Sequence, residues 1–235
     1  MTLSPTADAF LSLVSAGSCE FLTALRTRPE FVSLDREYGI LKALEGHALN
    51  QASPQHLPAL MAFSKIASTD GLFGYIDSKS WDVYRRMISS RPITAEKLTS
   101  LGIIVANINP AESPLRKTFF KFDLNAIVVP YIRDPTMQLS PLTLLSALAG
   151  HLWGVTMVAE SAVIMAWLMD RQGEYMETTG KFAVVKRMLG TTVAGEAGGR
   201  DGHGILGRWR NHVEVFVQRG EWWHDPVAEV AAEGA

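Results

Sequence analysis

Residues 141–169 read PLTLLSALAGHLWGVTMVAESAVIMAWLM, with no Lys or Arg and with Glu160 as the single acid. Whether this stretch crosses a bilayer or forms the spine of a folded domain decides the fold. A membrane helix needs about 20 consecutive apolar residues, and from Leu142 to Ala159 only His151 is ionisable. Length therefore permits a span. Three features oppose it. A carboxylate such as Glu160 near a bilayer centre costs roughly 2.5–3.5 kcal/mol on insertion scales. Arg133 and Arg171 flank the stretch on both sides, without the asymmetry that orients a membrane helix. Ser140-Pro141 reads as an N-cap followed by a first-turn proline, a common start for soluble helices. Small residues at Ala147, Gly150, Gly154 and Ser161 let a neighbouring helix approach closely. The stretch is expected to be a long buried central helix, broken near Gly154, and no membrane partner is expected. Gly150→Leu is expected to overpack it.

Working outward, the apolar residues keep a helical period in nearly every other segment. Phe31, Leu34, Tyr38, Leu41, Leu44 and Ala48 form one stripe, and Leu57, Leu60, Met61 and Ser64 a second. Trp81, Tyr84 and Ile88 form a third, with Asp77 or Ser78 as the cap; Leu98, Leu101, Val105 and Ile108 form a fourth. Breaks fall at Gly71–Gly74, Arg91-Pro92, Asn109–Pro114 and Asp134-Pro135. Leu124–Ile132 is short and β-branched, readable as a strand or as a buried connector. VEVFV near Val213 alternates weakly inside a longer helical pattern. The expected fold is predominantly α, with residues 1–133 as an N-terminal helical lobe and 134–235 as a C-terminal one. The second lobe is expected to carry a glycine-rich loop over 190–204.

The chain has 235 residues, 47% hydrophobic and 20% charged, the composition of a folded protein with a sizeable core. Its single cysteine, Cys19, excludes a disulfide framework and a cysteine-rich zinc site, and makes the cytoplasm the expected compartment. The first seventeen residues lack a basic start, carry Asp8 and do not read as a secretory signal. The net charge is only −2, but it is laid out in alternating blocks. Residues 1–78 carry −3, 79–133 carry +5, 134–180 carry −4, 181–219 carry +4 and 220–235 carry −4.

No catalytic constellation emerges. The six histidines have no ligand spacing, so neither a metal nor a cofactor is expected, and the chain is not expected to be an enzyme. Gly202-His-Gly204-Ile-Leu-Gly207 matches a dinucleotide fingerprint, but no strand precedes it and too few residues follow for a βαβ unit. His151 is expected to be a hydrogen-bonded core residue. Glu160, if buried in the apolar stripe, needs a partner such as Arg133 or Arg116.

Basic residues interleave with aromatics in LRKTFFKF, where Arg116, Lys117 and Lys121 surround phenylalanines, and in GRWRNH, where Arg208 and Arg210 bracket Trp209. Single-stranded nucleic acid suits such mixtures, because cations meet phosphates and flat rings stack on bases. The phosphate contacts expected are Arg85, Arg86, Arg116, Lys117 and Lys121 from the first basic block. Lys186, Arg187, Arg208 and Arg210 come from the second, with Trp209 as a stacking ring. Trp222 and Trp223 in EWWHD are expected to form a contact between copies, since large aromatics dominate interface cores.

The stretch LSPLTLLSALAGHLWGV, from Leu139 to Val155 and above all Ala147-Leu-Ala-Gly150, resembles the central helix of phlebovirus and tenuivirus nucleoproteins. The resemblance covers less than a tenth of the chain, and no functional residue carries over. It implies an α-helical viral protein that sequesters RNA between two lobes. The expectation is thus an RNA-binding, self-associating nucleoprotein or coat-type protein with single-stranded RNA as partner. The alternative is a helical interaction or effector protein without nucleic acid.

Overall fold

The computed structural model describes residues 28–50, 52, 56–68, 72, 75–76, 78–89, 91–106, 123–132, 134, 139–197 and 204–221. These contain eleven α-helices, one 3-10 turn and no strand. In chain order they are α1 (Arg28–Tyr38), α2 (Ile40–Leu49), α3 (His56–Ala67), α4 (Ser78–Ser89) and α5 (Ala95–Ala106). Then come α6 (Leu124–Val128), α7 (Leu139–Ala149), α8 (Leu152–Glu160), α9 (Ala162–Met169), α10 (Tyr175–Ala197) and α11 (Arg210–Arg219), the last preceded by the 3-10 turn Gly207–Trp209. The fold is predominantly α, as the periodicity indicates.

α5 and α7 make the most extensive helix pair and form the centre. A Cβ at Gly102 of α5 would lie 3.4 Å from the Leu144 Cα of α7, so the two backbones nearly touch. On one side α3 and α4 pack on α5, and α2 packs on α3 and α4; on the other, α10 packs on α7, α8, α9 and α11. One apolar cluster runs through all of this, from Phe31 to Phe216. It is continuous across residue 133, where the sequence suggests a division.

The third and fourth expected stripes are buried where they are described, Ile108 lying outside the described residues. In the second, Leu57 and Met61 are only half-buried, and Ala59 and Phe63 join Leu60 and Ser64 in the core. Trp81, Tyr84, Ile88, Leu98, Leu101 and Val105 are buried. Phe63 stacks on Tyr84 with centroids 5.1 Å apart, and Trp81 meets both rings edge-on. Within this apolar mass Tyr84, Ser64 and Ser100 share hydroxyl bonds: the Tyr84–Ser100 distance is 2.7 Å, and Ser64 contacts Ser100 and donates to the Leu60 carbonyl at 2.8 Å. Burial pushes the Tyr84 phenol far above its ordinary range, outweighing the opposing pull of the serine hydroxyls. Leu124–Ile132 is a buried connector that starts as α6, capped by Asp123 accepting from the Asn125 and Ala126 amides.

Three expectations need correction. The central stretch is helical and largely buried, but it is three helices rather than one. The first break falls at Gly150-His151, not at Gly154. There His151 is extended (φ −129°, ψ 137°) and its Nε2–H donates to the Val105 carbonyl at 2.8 Å, serving the open end of α5. Gly154 lies inside α8 and is the sterically demanding glycine: a Cβ there would sit 2.2 Å from the Leu148 carbonyl oxygen. At Gly150 a Cβ would meet only the flexible end of Arg187, so that substitution is the milder one. The second break is Ser161, whose Oγ caps the Ile164 amide at 3.3 Å and donates to Asn125 Oδ1 at 2.5 Å. It turns α8 into α9 by 96°. Among the described residues no single helix is long and apolar enough to cross a membrane.

Glu160 is exposed rather than buried, because it ends α8 at that bend and faces outward. The expected loop 190–204 is helix as far as Ala197. Glycine and threonine disfavour an isolated helix, but Thr191 donates to the Ala149 carbonyl at 2.7 Å and Thr192 is wholly buried. Packing on α7 overrides local preference there.

Candidate nucleic-acid interface

The first basic block contributes little that is described. Arg85, on α4, is half-buried and paired with Asp82 one turn earlier. Arg86 is exposed, with its Nε donating to the Asp82 carbonyl at 3.4 Å. Arg116, Lys117, Lys121 and Arg133 lie outside the described residues, as do Trp222 and Trp223. α4 packs on α2 and α5 whereas α10 packs on α7, so the central pair intervenes between Arg85–Arg86 and the second block.

The second block divides in two. Lys186 and Arg187 project from α10 into solvent and have no acidic partner among the described residues. The Arg187 guanidinium lies beside Gly150, at the start of α8. Arg208 is exposed at the other end of α8, its guanidinium 5.0 Å over the ring of Trp209. The indole is half-buried, and its Nε1–H donates to the Ala159 carbonyl at 3.0 Å, which fixes the ring against α8. Arg210 is engaged instead. It forks onto Glu196 of α10, with Nη2–Oε2 at 3.2 Å, and reaches Glu214 at 2.9 Å. These hydrogen bonds hold its guanidinium pKa above the ordinary value, Glu196 contributing most. Arg210 therefore ties α10 to α11, and of the four cations expected from this block Lys186, Arg187 and Arg208 are the ones that face water.

Two buried or half-buried cations were not singled out by the sequence. Lys181 lies 2.6 Å from Glu177, donates to the Asp170 and Gln172 carbonyls at 3.3 and 3.2 Å, and sits 4.8 Å over the Trp167 ring. Both charged side chains are nearly excluded from water, at 2% and 7% exposure. Their (i, i+4) spacing on α10 was readable, but not the closing of the 170–174 turn over them. Arg171 donates to the Phe216, Gly220 and Glu221 carbonyls, at 2.8 Å for Phe216, with its guanidinium 4.2 Å over the Phe216 ring. It thereby serves the carbonyls that α11 leaves unpaired at its end.

Two clefts open on this side. One, of about 880 Å³, lies between the Asp170–Gly173 turn and α11 and includes Asn211, His212 and Arg219. The other, of about 380 Å³, lies between the end of α8 and residues 204–209. The described residues contain no group of His, Cys, Asp or Glu arranged to hold a metal. The segment Gly204–Gly207 is a turn leading into the 3-10 helix, with Leu206 buried. No described strand leads into it, as a dinucleotide loop would require.

No protein-family model, curated protein or solved structure matches the chain.

Proposed function

We propose that the protein binds single-stranded RNA through its phosphate backbone and self-associates, in the manner of a nucleoprotein or coat protein. The observation that supports this reading is the set of exposed cations Lys186, Arg187 and Arg208. Arg187 and Arg208 bracket α8, Lys186 is next to Arg187 on α10, and none of the three has a carboxylate partner among the described residues. Even in a chain of net charge −2, exposed cations set together attract a polyanion locally. Arg85 and Arg86, with Arg116, Lys117 and Lys121, extend the contacts. Trp222 and Trp223 provide the contact between copies, joined by Tyr175 and Met176, which are 70% and 64% exposed at the start of α10. A chain with one cysteine fits work in the cytoplasm, where thiols stay reduced.

Filter binding of single-stranded RNA across a salt series tests it. Each neutralised phosphate contributes a slope of about −0.7 in log K against log salt. Replacing Lys186, Arg187 and Arg208 together by Ala is expected to flatten that slope by about two units. Arg210→Ala should leave the slope unchanged, because that guanidinium is already committed to carboxylates. Wild-type protein without RNA affinity at low salt, or a triple variant with an unaltered slope, overturns the reading. The exposed Tyr175 and Met176 then support a helical interaction protein in its place.

A further inference from the structure

The cleft between α8 and residues 204–209 holds two opposite charges that do not meet. Glu160 and Arg208 both line it, together with Thr156, Ile205, Leu206 and Trp209. Among the described residues the carboxylate forms no ion pair or hydrogen bond, and the guanidinium meets only the Trp209 ring. Glu160 also ends α8, where the helix dipole favours a cation and disfavours an acid. A carboxylate held against the local field, lining the same cleft as a guanidinium that has no carboxylate partner among the described residues, is arranged for something that touches both.

The walls narrow what that is. Trp209 is a fixed, flat side, because its Nε1–H is bonded to the Ala159 carbonyl at 3.0 Å. Thr156 also lines the cleft, and its hydroxyl hydrogen is given to the Leu152 carbonyl at 3.0 Å, so its oxygen is left only as an acceptor. The occupant is therefore planar, offers paired donors to a carboxylate and presents acceptors to a guanidinium. Among the four RNA bases only guanine has two adjacent donors on one edge, its N1–H and 2-amino group. Its O6 and N7 are the acceptors that Arg reads as a fork. Adenine and cytosine would turn a ring nitrogen lone pair towards Glu160, and uracil flanks its single N–H with carbonyl oxygens.

We infer that the cleft formed by Glu160, Arg208 and Trp209 is a guanine-binding subsite. It rests on the RNA-binding reading for the source of the base, which is a residue of the bound strand. Its test does not need the polymer. Calorimetric titration of the full chain with GMP, IMP, AMP, CMP and UMP should show GMP binding at least tenfold more tightly than AMP, CMP or UMP. IMP, which lacks the 2-amino group, should fall between. Glu160→Gln should abolish the preference while leaving the melting temperature equal or higher, since it removes an acid from a helix C-terminus. Equal affinity for all five nucleotides, no GMP binding, or a preference that survives Glu160→Gln overturns the subsite. Salt-dependent binding of an adenine-only oligonucleotide then reports separately on the RNA reading. That binding stands if only the subsite fails, and a GMP preference without it leaves the subsite and removes the polymer.

Discussion

Lys97 on α5 and Lys181 on α10 each keep about 1% of their surface exposed, and they are held differently. Lys97 begins α5 beside a network of neutral hydroxyls, and its ammonium donates to the Pro92 carbonyl at 2.9 Å. Burial alone shifts it, pulling its pKa below the ordinary value. Lys181 lies against a buried carboxylate, two carbonyls and an indole face. The α3–α5 region thus closes its polar interior with the Tyr84, Ser64 and Ser100 hydroxyls and an ammonium held by a carbonyl. The α9–α11 region closes its own with charges, in Lys181–Glu177, Arg171 and Arg210. Carbonyl-rich turns such as 170–174, and helix ends such as that of α11, need cationic donors, whereas a helix-on-helix seam needs only hydroxyls.

The sharpest way to break this contrast is Lys181→Met. It strands the Glu177 carboxylate out of water and should cost about 3–5 kcal/mol, read from urea unfolding. Adding Glu177→Leu should recover most of that loss, because a buried pair exchanged for apolar groups is close to neutral. If the single variant costs less than the double, the pair is not what closes the turn. Arg171→Ala removes a charged donor from three carbonyls and should cost about 2 kcal/mol, with faster amide exchange confined to α11. Tyr84→Phe, in the α3–α5 region, should cost only about 1 kcal/mol, since Ser64 and Ser100 keep each other. The smallest effect is one of pH. A lysine whose folded pKa is lowered leaves the unfolded chain holding more protons between that lowered value and 10.5, so stability rises with pH across that window. Lys97→Met should abolish the rise. Stability curves of the two proteins from neutral pH to 10.5 that run parallel would place Lys97 in a wetter setting than described.

What the sequence made legible follows from which force decides each feature. Helical class and the buried faces of α4 and α5 depend on periodic burial, and Trp81, Tyr84, Leu98 and Leu101 carry that pattern openly. His151 was also readable, because an imidazole amid leucines has to find a partner. The breaks in 139–169 were not, since they turn on single events: a histidine reaching Val105, and a serine cap meeting Asn125 from α6. Glu160 was misplaced for the same reason, because one long helix would have buried what the bend exposes. Along 190–197, glycine and threonine argue locally for a loop, and only contacts with α7 and α8 reverse that. At the candidate interface the cationic blocks were legible as charge. Glu196 and Glu214 lie 14 and 4 residues from Arg210, so which arginine they would engage depended on how α10 and α11 meet.

The near-contact of α5 and α7 has a consequence for dissection of the chain. Its two sides come from opposite halves of the sequence, and at Gly102 the backbone of α7 at Leu144 approaches closely. A nick anywhere between residues 107 and 122 would leave two pieces, each with an apolar ridge cut open along its length. Expressed apart, they should be insoluble or molten. Expressed together, they should find one another and rebuild the same core, a complementing pair divided between α5 and α6.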